Sequence, residues 1–221
     1  MSGWLDTQPI AYGLSSQPTA VIERRVERPT LTPFEKYKAF VLANEGGFVE
    51  TNKLWDPGGH TYAGIARRFN EDWSGWRAID LGSAPSREEV WQVYRRYWNK
   101  VKGDRLAEMA PYLAIAVADH GFHAGPGRAV MDLQRVLGVK ADGIVGPQTL
   151  GALRKVLSTK GEEELLALFA KQRNKTLKGR FKTRVSYAIS PLDIERRVAY
   201  SLTNVMNRLP HLRYNNHLAA L

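Results

Sequence analysis

The sequence predicts a mainly α-helical fold with one small β element, and three observations carry that expectation. Apolar residues recur at helical spacing behind clear N-caps, after Thr32 and again after Ser86. The run Tyr112 to Ala118 is apolar nearly all round, as a buried central helix requires. Between residues 48 and 65, the turn Asp56-Pro57-Gly58-Gly59 leads into a strand-like stretch at Thr61, Tyr62 and Ile65.

The first helix is framed at both ends. Thr32 and Glu35 form a capping box, Pro33 suits the first helical position, and Phe34, Tyr37, Val41 and Asn44 mark one stripe. Gly46-Gly47 supplies the left-handed residue that stops it. Glu45 is thereby expected as the last helical residue, beside the negative end of the helix dipole, where a carboxyl group holds its proton more readily. A proton held near neutral pH is what a general acid needs.

Further along, Ser86 and Glu89 start a helix carrying Val90, Trp91, Tyr94, Trp98 and Val101 at helical spacing. Pro147 opens a helix after an Asp-Gly turn. Gly161-Glu162-Glu163-Glu164 opens another, with acids at its favourable end, and Ser190-Pro191 with Asp193 starts the last. Residues 1–31 read as an extended arm, rich in Pro, Gln, Ser and Thr, in which Trp4, Leu5, Ile10, Tyr12 and Leu14 follow no periodicity. The arm has no charged region followed by an apolar core, so no secretory signal is expected, and no stretch reads as membrane-spanning.

At 221 residues with 43% hydrophobic content, the chain can bury a sizeable core. The absence of cysteine excludes a disulfide scaffold. A formal charge of +10 points to an anionic partner, whether cell-wall polymer, lipopolysaccharide, membrane surface or nucleic acid. The run Lys171 to Arg184 is basic without a single acid, yet Phe181 is its one aromatic, so specific nucleic-acid binding through base stacking is not expected. His120 and His123 beside Asp119 could suggest zinc, but no third-ligand pattern accompanies them, and neither metal nor cofactor is expected.

The series Glu45-Gly46-Gly47-Phe48, Asp56-Pro57-Gly58-Gly59 and Thr61-Tyr62-Ala63-Gly64-Ile65 resembles glycoside hydrolase family 108, the N-acetylmuramidases of the lysozyme-like superfamily. The likeness continues through Tyr94-Arg95-Arg96-Tyr97-Trp98, Asp119 with Gly125, and Leu133-Gln134 with Leu137-Gly138. It ends on Asp142-Gly143-Ile144-Val145-Gly146-Pro147-Gln148-Thr149-Leu150, which is similar to the peptidoglycan-binding segment usually joined to that catalytic region. It spans residues 32 to about 157 in the family's order. Ala66 stands where a hydroxyl residue is common, and His123 where the family usually has Asn.

The resemblance implies a lysozyme-like α+β domain with a helical C-terminal lobe, and hydrolysis of the β-1,4 bond between N-acetylmuramic acid and N-acetylglucosamine. Glu45 would protonate the leaving oxygen, with Asp56, alone or with Thr61, positioning water or stabilising the oxocarbenium-like state. Tyr62, Trp73 and Trp76 are expected to touch sugar; His123 would line the cleft, with Asp119 organising it. The expected divisions are an arm at 1–31, a catalytic region at 32–110, a peptidoglycan-binding segment at 111–157 and basic C-terminal helices at 158–221. Peptidoglycan strands are the expected partner, with phage tail or internal virion proteins held through residues 1–31. The expected location is a phage virion, or host cytoplasm before release to the wall. The competing reading is a non-catalytic virion protein that binds peptidoglycan, against which the intact Glu45 argues.

Overall fold

A computed structural model of the chain describes residues 31–44, 48, 50–52, 59–180 and 190–196. These fall in one compact unit of seven α-helices, a single 3₁₀ turn and a three-stranded antiparallel sheet, followed by helical residues at 191–196. The architecture is a lysozyme-like, mainly α fold. Among the described residues no helix is long and apolar enough to cross a membrane.

Helix α1 (Pro33–Asn44) begins with the expected capping box: the Glu35 carboxylate accepts from Thr32 N at 2.8 Å, and Glu35 N donates to Thr32 Oγ1. Its stripe of Phe34, Tyr37 and Val41 is buried. The β element consists of β1 (Glu50–Asn52), β2 (His60–Tyr62) and β3 (Ile65–Ala66). The single strand-like stretch expected over 61–65 is in fact a hairpin. Ala63 and Gly64 both take positive φ, 48° and 73°, so the chain turns between Tyr62 and Ile65, which pair across the turn. Ala63 pays a steric penalty there that the Tyr94 hydroxyl helps offset, donating to its carbonyl at 2.7 Å.

Helices α2 (Gly75–Asp80), α3 (Arg87–Lys100) and α4 (Gly103–Ala107) complete the first half. The expected capping box of α3 is present in both directions between Ser86 and Glu89. Helix α5 (Pro111–Ala124) is the buried centre and packs on α1, α3, α4, α6 and α7. Helix α6 (Pro126–Leu137) ends on Gly138 in the left-handed conformation.

Helix α7 (Pro147–Arg180) is broken at Gly161, whose backbone (φ 74°, ψ 173°) is not helical. The acid after the break does more than favour its own helix. Glu162 accepts a hydrogen bond from Leu113 N at 2.8 Å and so caps the start of α5. Residues 190–193 form the expected capping box, and Glu195 then ties the helical residues back to α1 and α5, accepting from Lys36 Nζ at 2.5 Å and Tyr112 OH at 2.8 Å.

Candidate active site

The sheet and the helices around it place Thr61, Tyr62, Trp73 and Trp76 in one neighbourhood, with different exposures. Thr61 sits opposite Thr51 and Ala66 in the register, half-buried, its hydroxyl donating to Gly59 O at 3.2 Å. Strand alternation turns Tyr62 to the other face, where it is buried against Trp73 with ring centroids 6.2 Å apart. Burial first, and then the Glu50 carboxylate, push the Tyr62 phenol above its ordinary pKa.

Trp73 and Trp76 are core residues rather than exposed sugar platforms. They are 6% and 3% exposed and meet edge to face at 4.9 Å. Each indole N–H is consumed by a backbone carbonyl: Trp73 donates to Glu89 O at 3.0 Å and Trp76 to Asn70 O at 2.7 Å. The Gly75 between them is there for packing; a Cβ on it would lie 2.3 Å from the Trp73 ring.

Sequence reasoning missed the polar pair beside these rings. His60 Nε2 and Glu50 Oε1 lie 2.6 Å apart across β1 and β2, and the His60 ring packs on Trp76 at 5.4 Å. Both residues flank the quoted motifs, so their spacing on neighbouring strands was the available signal.

Asp119 and His123 lie on α5, one turn apart, with 3.6 Å between His123 Nε2 and Asp119 Oδ1. His123 is partly exposed, with 29% of its side-chain surface accessible. Asp119 is 1% exposed and cannot touch a polymer; it forms a buried ion pair with Arg173 of α7 at 2.7 Å. Tyr94 connects this helix to the hairpin, since its hydroxyl binds Ala63 O while its ring meets Phe122 edge to face at 5.2 Å. Glu45 and Asp56 lie outside the described residues, as do most of the basic run beyond Arg180 and the arm. Among the described residues no group of three ligand-type side chains could hold a metal ion.

A second buried carboxylate joins α5 to the following helices. Asp132 of α6 accepts from Arg135 (2.6 Å), Thr176 (2.7 Å) and Gln172 (3.0 Å) and meets His120 Nε2 at 2.9 Å. Burial would raise its pKa, but these donors, His120 foremost, hold it well below the ordinary carboxylate range. His120 moves down as well: burial outweighs the Asp132 hydrogen bond, so the ring is neutral at pH 7 and donates from Nε2.

The Asp142-Gly143-Ile144 segment is equally structural. The buried Gln134 amide donates to Asp142 Oδ1 at 2.7 Å, Ile144 O at 3.0 Å and Thr149 Oγ1 at 3.0 Å, and its carbonyl accepts from Gly143 N at 2.8 Å. Gly143 needs its missing side chain, since φ is 80° and a Cβ would meet Gly127 O at 3.2 Å.

Residues 38–125 match the family described as Glycosyl hydrolase 108, and residues 128–179 match one described as Predicted Peptidoglycan domain. The chain thus carries a glycosyl hydrolase 108 region followed by a predicted peptidoglycan domain. Among solved structures, that of Brucella abortus SagA is similar, with a TM-score of 0.53 and 29% sequence identity over 77% of this chain and 94% of that one. No curated protein matches the chain. These two regions together make it a glycoside hydrolase acting on peptidoglycan. The glycosyl hydrolase 108 match takes in the whole of α5 and ends at Gly125, which takes φ 92° at the α5–α6 turn, and the second match begins inside α6.

Proposed function

We propose that the protein is an N-acetylmuramidase that cleaves the β-1,4 bond between N-acetylmuramic acid and N-acetylglucosamine, with Glu45 as general acid. The observation that carries this reading is the glycosyl hydrolase 108 match over residues 38–125, which includes Glu45 two residues after α1 residue Ala43. Asp56, with Thr61 at the strand that follows, positions the attacking water or stabilises the oxocarbenium-like state. Thr61 is half-buried on β2, and its hydroxyl is fixed toward Gly59 O, so it can orient a neighbour without itself accepting a proton. His123, partly exposed, serves the substrate side of α5, and the buried Asp119 holds it from behind. Residues 1–31 attach the enzyme to a phage particle, which delivers it to the wall.

The deciding experiment is digestion of purified peptidoglycan with identification of the new reducing ends. Muramic acid at those ends supports the reading, and glucosamine overturns it. Glu45→Gln keeps the shape but cannot donate the proton, so turnover should fall by ~10²–10⁴-fold. Residual activity above a tenth of the unmodified enzyme would remove Glu45 from the acid role.

A further inference from the structure

A groove of about 1030 Å³ runs between α1 and α3. Only the edges of Phe34 and Trp91, 8% and 7% exposed, reach its wall, and its rim is cationic. Lys38, Arg95, Arg96, Lys100 and Lys102 line it against two carboxylates, Glu35 and Glu88. Glu35 is already committed to the α1 capping box through Thr32 N and Oγ1. Arg96 is held by Asp72 at 2.7 Å and Asn70 at 2.9 Å, and Arg95 lies over the Phe34 ring with a long contact to Asp104 at 3.7 Å.

Among the described residues Lys38, Lys100 and Lys102 make no ion pair, and of these three Lys38 is the one seated against aromatic rings. Its ammonium lies 5.2 Å from the Trp91 ring centroid and 5.6 Å from that of Phe34. Burial draws it below the ordinary lysine pKa, the Glu35 and Glu88 charges opposing this only in part and the Arg95 charge adding to it. A partly desolvated ammonium between two rings, facing an open groove with surplus positive charge, lacks only an anion.

We propose that the α1–α3 groove binds the stem peptide of peptidoglycan, its carboxylate on Lys38 and its alanine methyl groups on Phe34 and Trp91. Resting on the reading that peptidoglycan is the substrate, the site makes this enzyme prefer strands that still carry peptides. A stem peptide alternates methyl groups with carboxylates, which matches aromatic edges under a cationic rim. A strand stripped by an amidase keeps a lactyl carboxylate on each muramic acid but no peptide methyl groups, and an inorganic anion offers the rings no apolar surface.

Calorimetric titration of the full chain with a synthetic stem tetrapeptide tests this, with the amidated tetrapeptide and inorganic phosphate as the other two probes. The free-acid tetrapeptide should bind, and Lys38→Gln should weaken it about tenfold, equal to ~1.4 kcal/mol. Lys38→Arg should retain most of the affinity. No heat with the tetrapeptide, equal binding of its amide, or phosphate competing as strongly as the peptide would each overturn the assignment. As a second measurement, Lys38→Gln should raise KM on peptide-bearing strands and leave both KM and kcat unchanged on strands stripped by an amidase. An equal effect on both substrates would make Lys38 a structural residue. An unmodified enzyme that frees no reducing ends from either substrate would sink the muramidase reading, while the titration still decides the groove.

Discussion

Around α3 the molecule is held by rings, whereas α5 meets α6 and α7 through buried charges. Tyr37 lies 6.1 Å from Tyr94 and 5.4 Å from Trp98, which Phe34 meets edge to face at 5.7 Å, and Gly103 comes so close to Trp98 that a Cβ would lie 2.3 Å from the indole. On the other side, the Asp119–Arg173 ion pair and the Asp132 carboxylate, which accepts from the neutral His120 ring, are fully buried, and each bridges the glycosyl hydrolase 108 segment to the peptidoglycan segment. Ring packing tolerates small shifts and ignores pH. Buried charge pairs stabilise only one relative placement of the helices, because any displacement leaves a charge unpaired. The catalytic segment is therefore built for a deep core, and its junction with the peptidoglycan segment for a fixed register.

Breaking the register should produce the largest change. Arg173→Met leaves the Asp119 carboxylate buried without its guanidinium, which typically costs about 3–5 kcal/mol. Thermal unfolding should show a fall in Tm of many degrees. The double variant Asp119→Leu with Arg173→Met removes both charges and should recover most of the loss. If the double variant is no more stable than the single one, the pair is not a closed electrostatic unit and the contrast with the ring-packed side fails.

The capped helices, the buried α5 and the stripe of α1 were legible because they depend on neighbours three and four residues away, which a linear reading can see. The hairpin at Ala63-Gly64 was not, because a positive φ at an alanine is sustained by Tyr94, thirty-one residues distant. Trp73 and Trp76 read as sugar contacts for the same reason: the carbonyls that satisfy their N–H groups and the contact at Gly75 are not visible in local spacing. Asp119 and His120 drew attention as a metal-like cluster. Their partners Arg173 and Asp132 lie on other helices, and no local spacing announces them. Lys38 was invisible as a site because its environment is made by Trp91, on another helix.

The pH dependence of folding should sharpen the comparison by a smaller amount. His120 has a lowered pKa in the folded protein, so the unfolded chain binds a proton that the folded one refuses. Its stabilising contribution is complete above the unfolded value of ~6.5 and declines as pH falls below it. Asp132, also lowered, contributes fully above an unfolded value of ~3.9 and loses that contribution as pH falls further. Both act in one direction, so stability should drop in two stages on acidification. His120→Gln keeps an N–H donor for Asp132 but cannot titrate. Melting curves between pH 7.5 and 5 should be flatter for this variant, and an unchanged slope would place the sensitivity elsewhere.

The smallest effect is expected at the outer surface of the peptidoglycan segment, where charge is solvated rather than buried. Arg135, Lys171 and Lys175 surround a shallow groove of about 370 Å³ floored by Val136 and the half-exposed Leu168. Arg135 is already tied to Asp132 at 2.6 Å, so Lys171 and Lys175 are the cations offered to a wall polymer. Lys171→Gln with Lys175→Gln should weaken retention on insoluble peptidoglycan at low salt and leave melting unaltered. Exposed charges act over a Debye length of ~10 Å at 0.1 M salt, so the difference from the unmodified protein should close as salt rises. Arg154→Gln with Lys155→Gln removes the same charge from the first half of α7, also exposed. Equal weakening by both pairs would mean that only net charge matters. A larger loss from the Lys171 and Lys175 pair would place the contact on the α6–α7 face, the same face whose inner side carries Asp132.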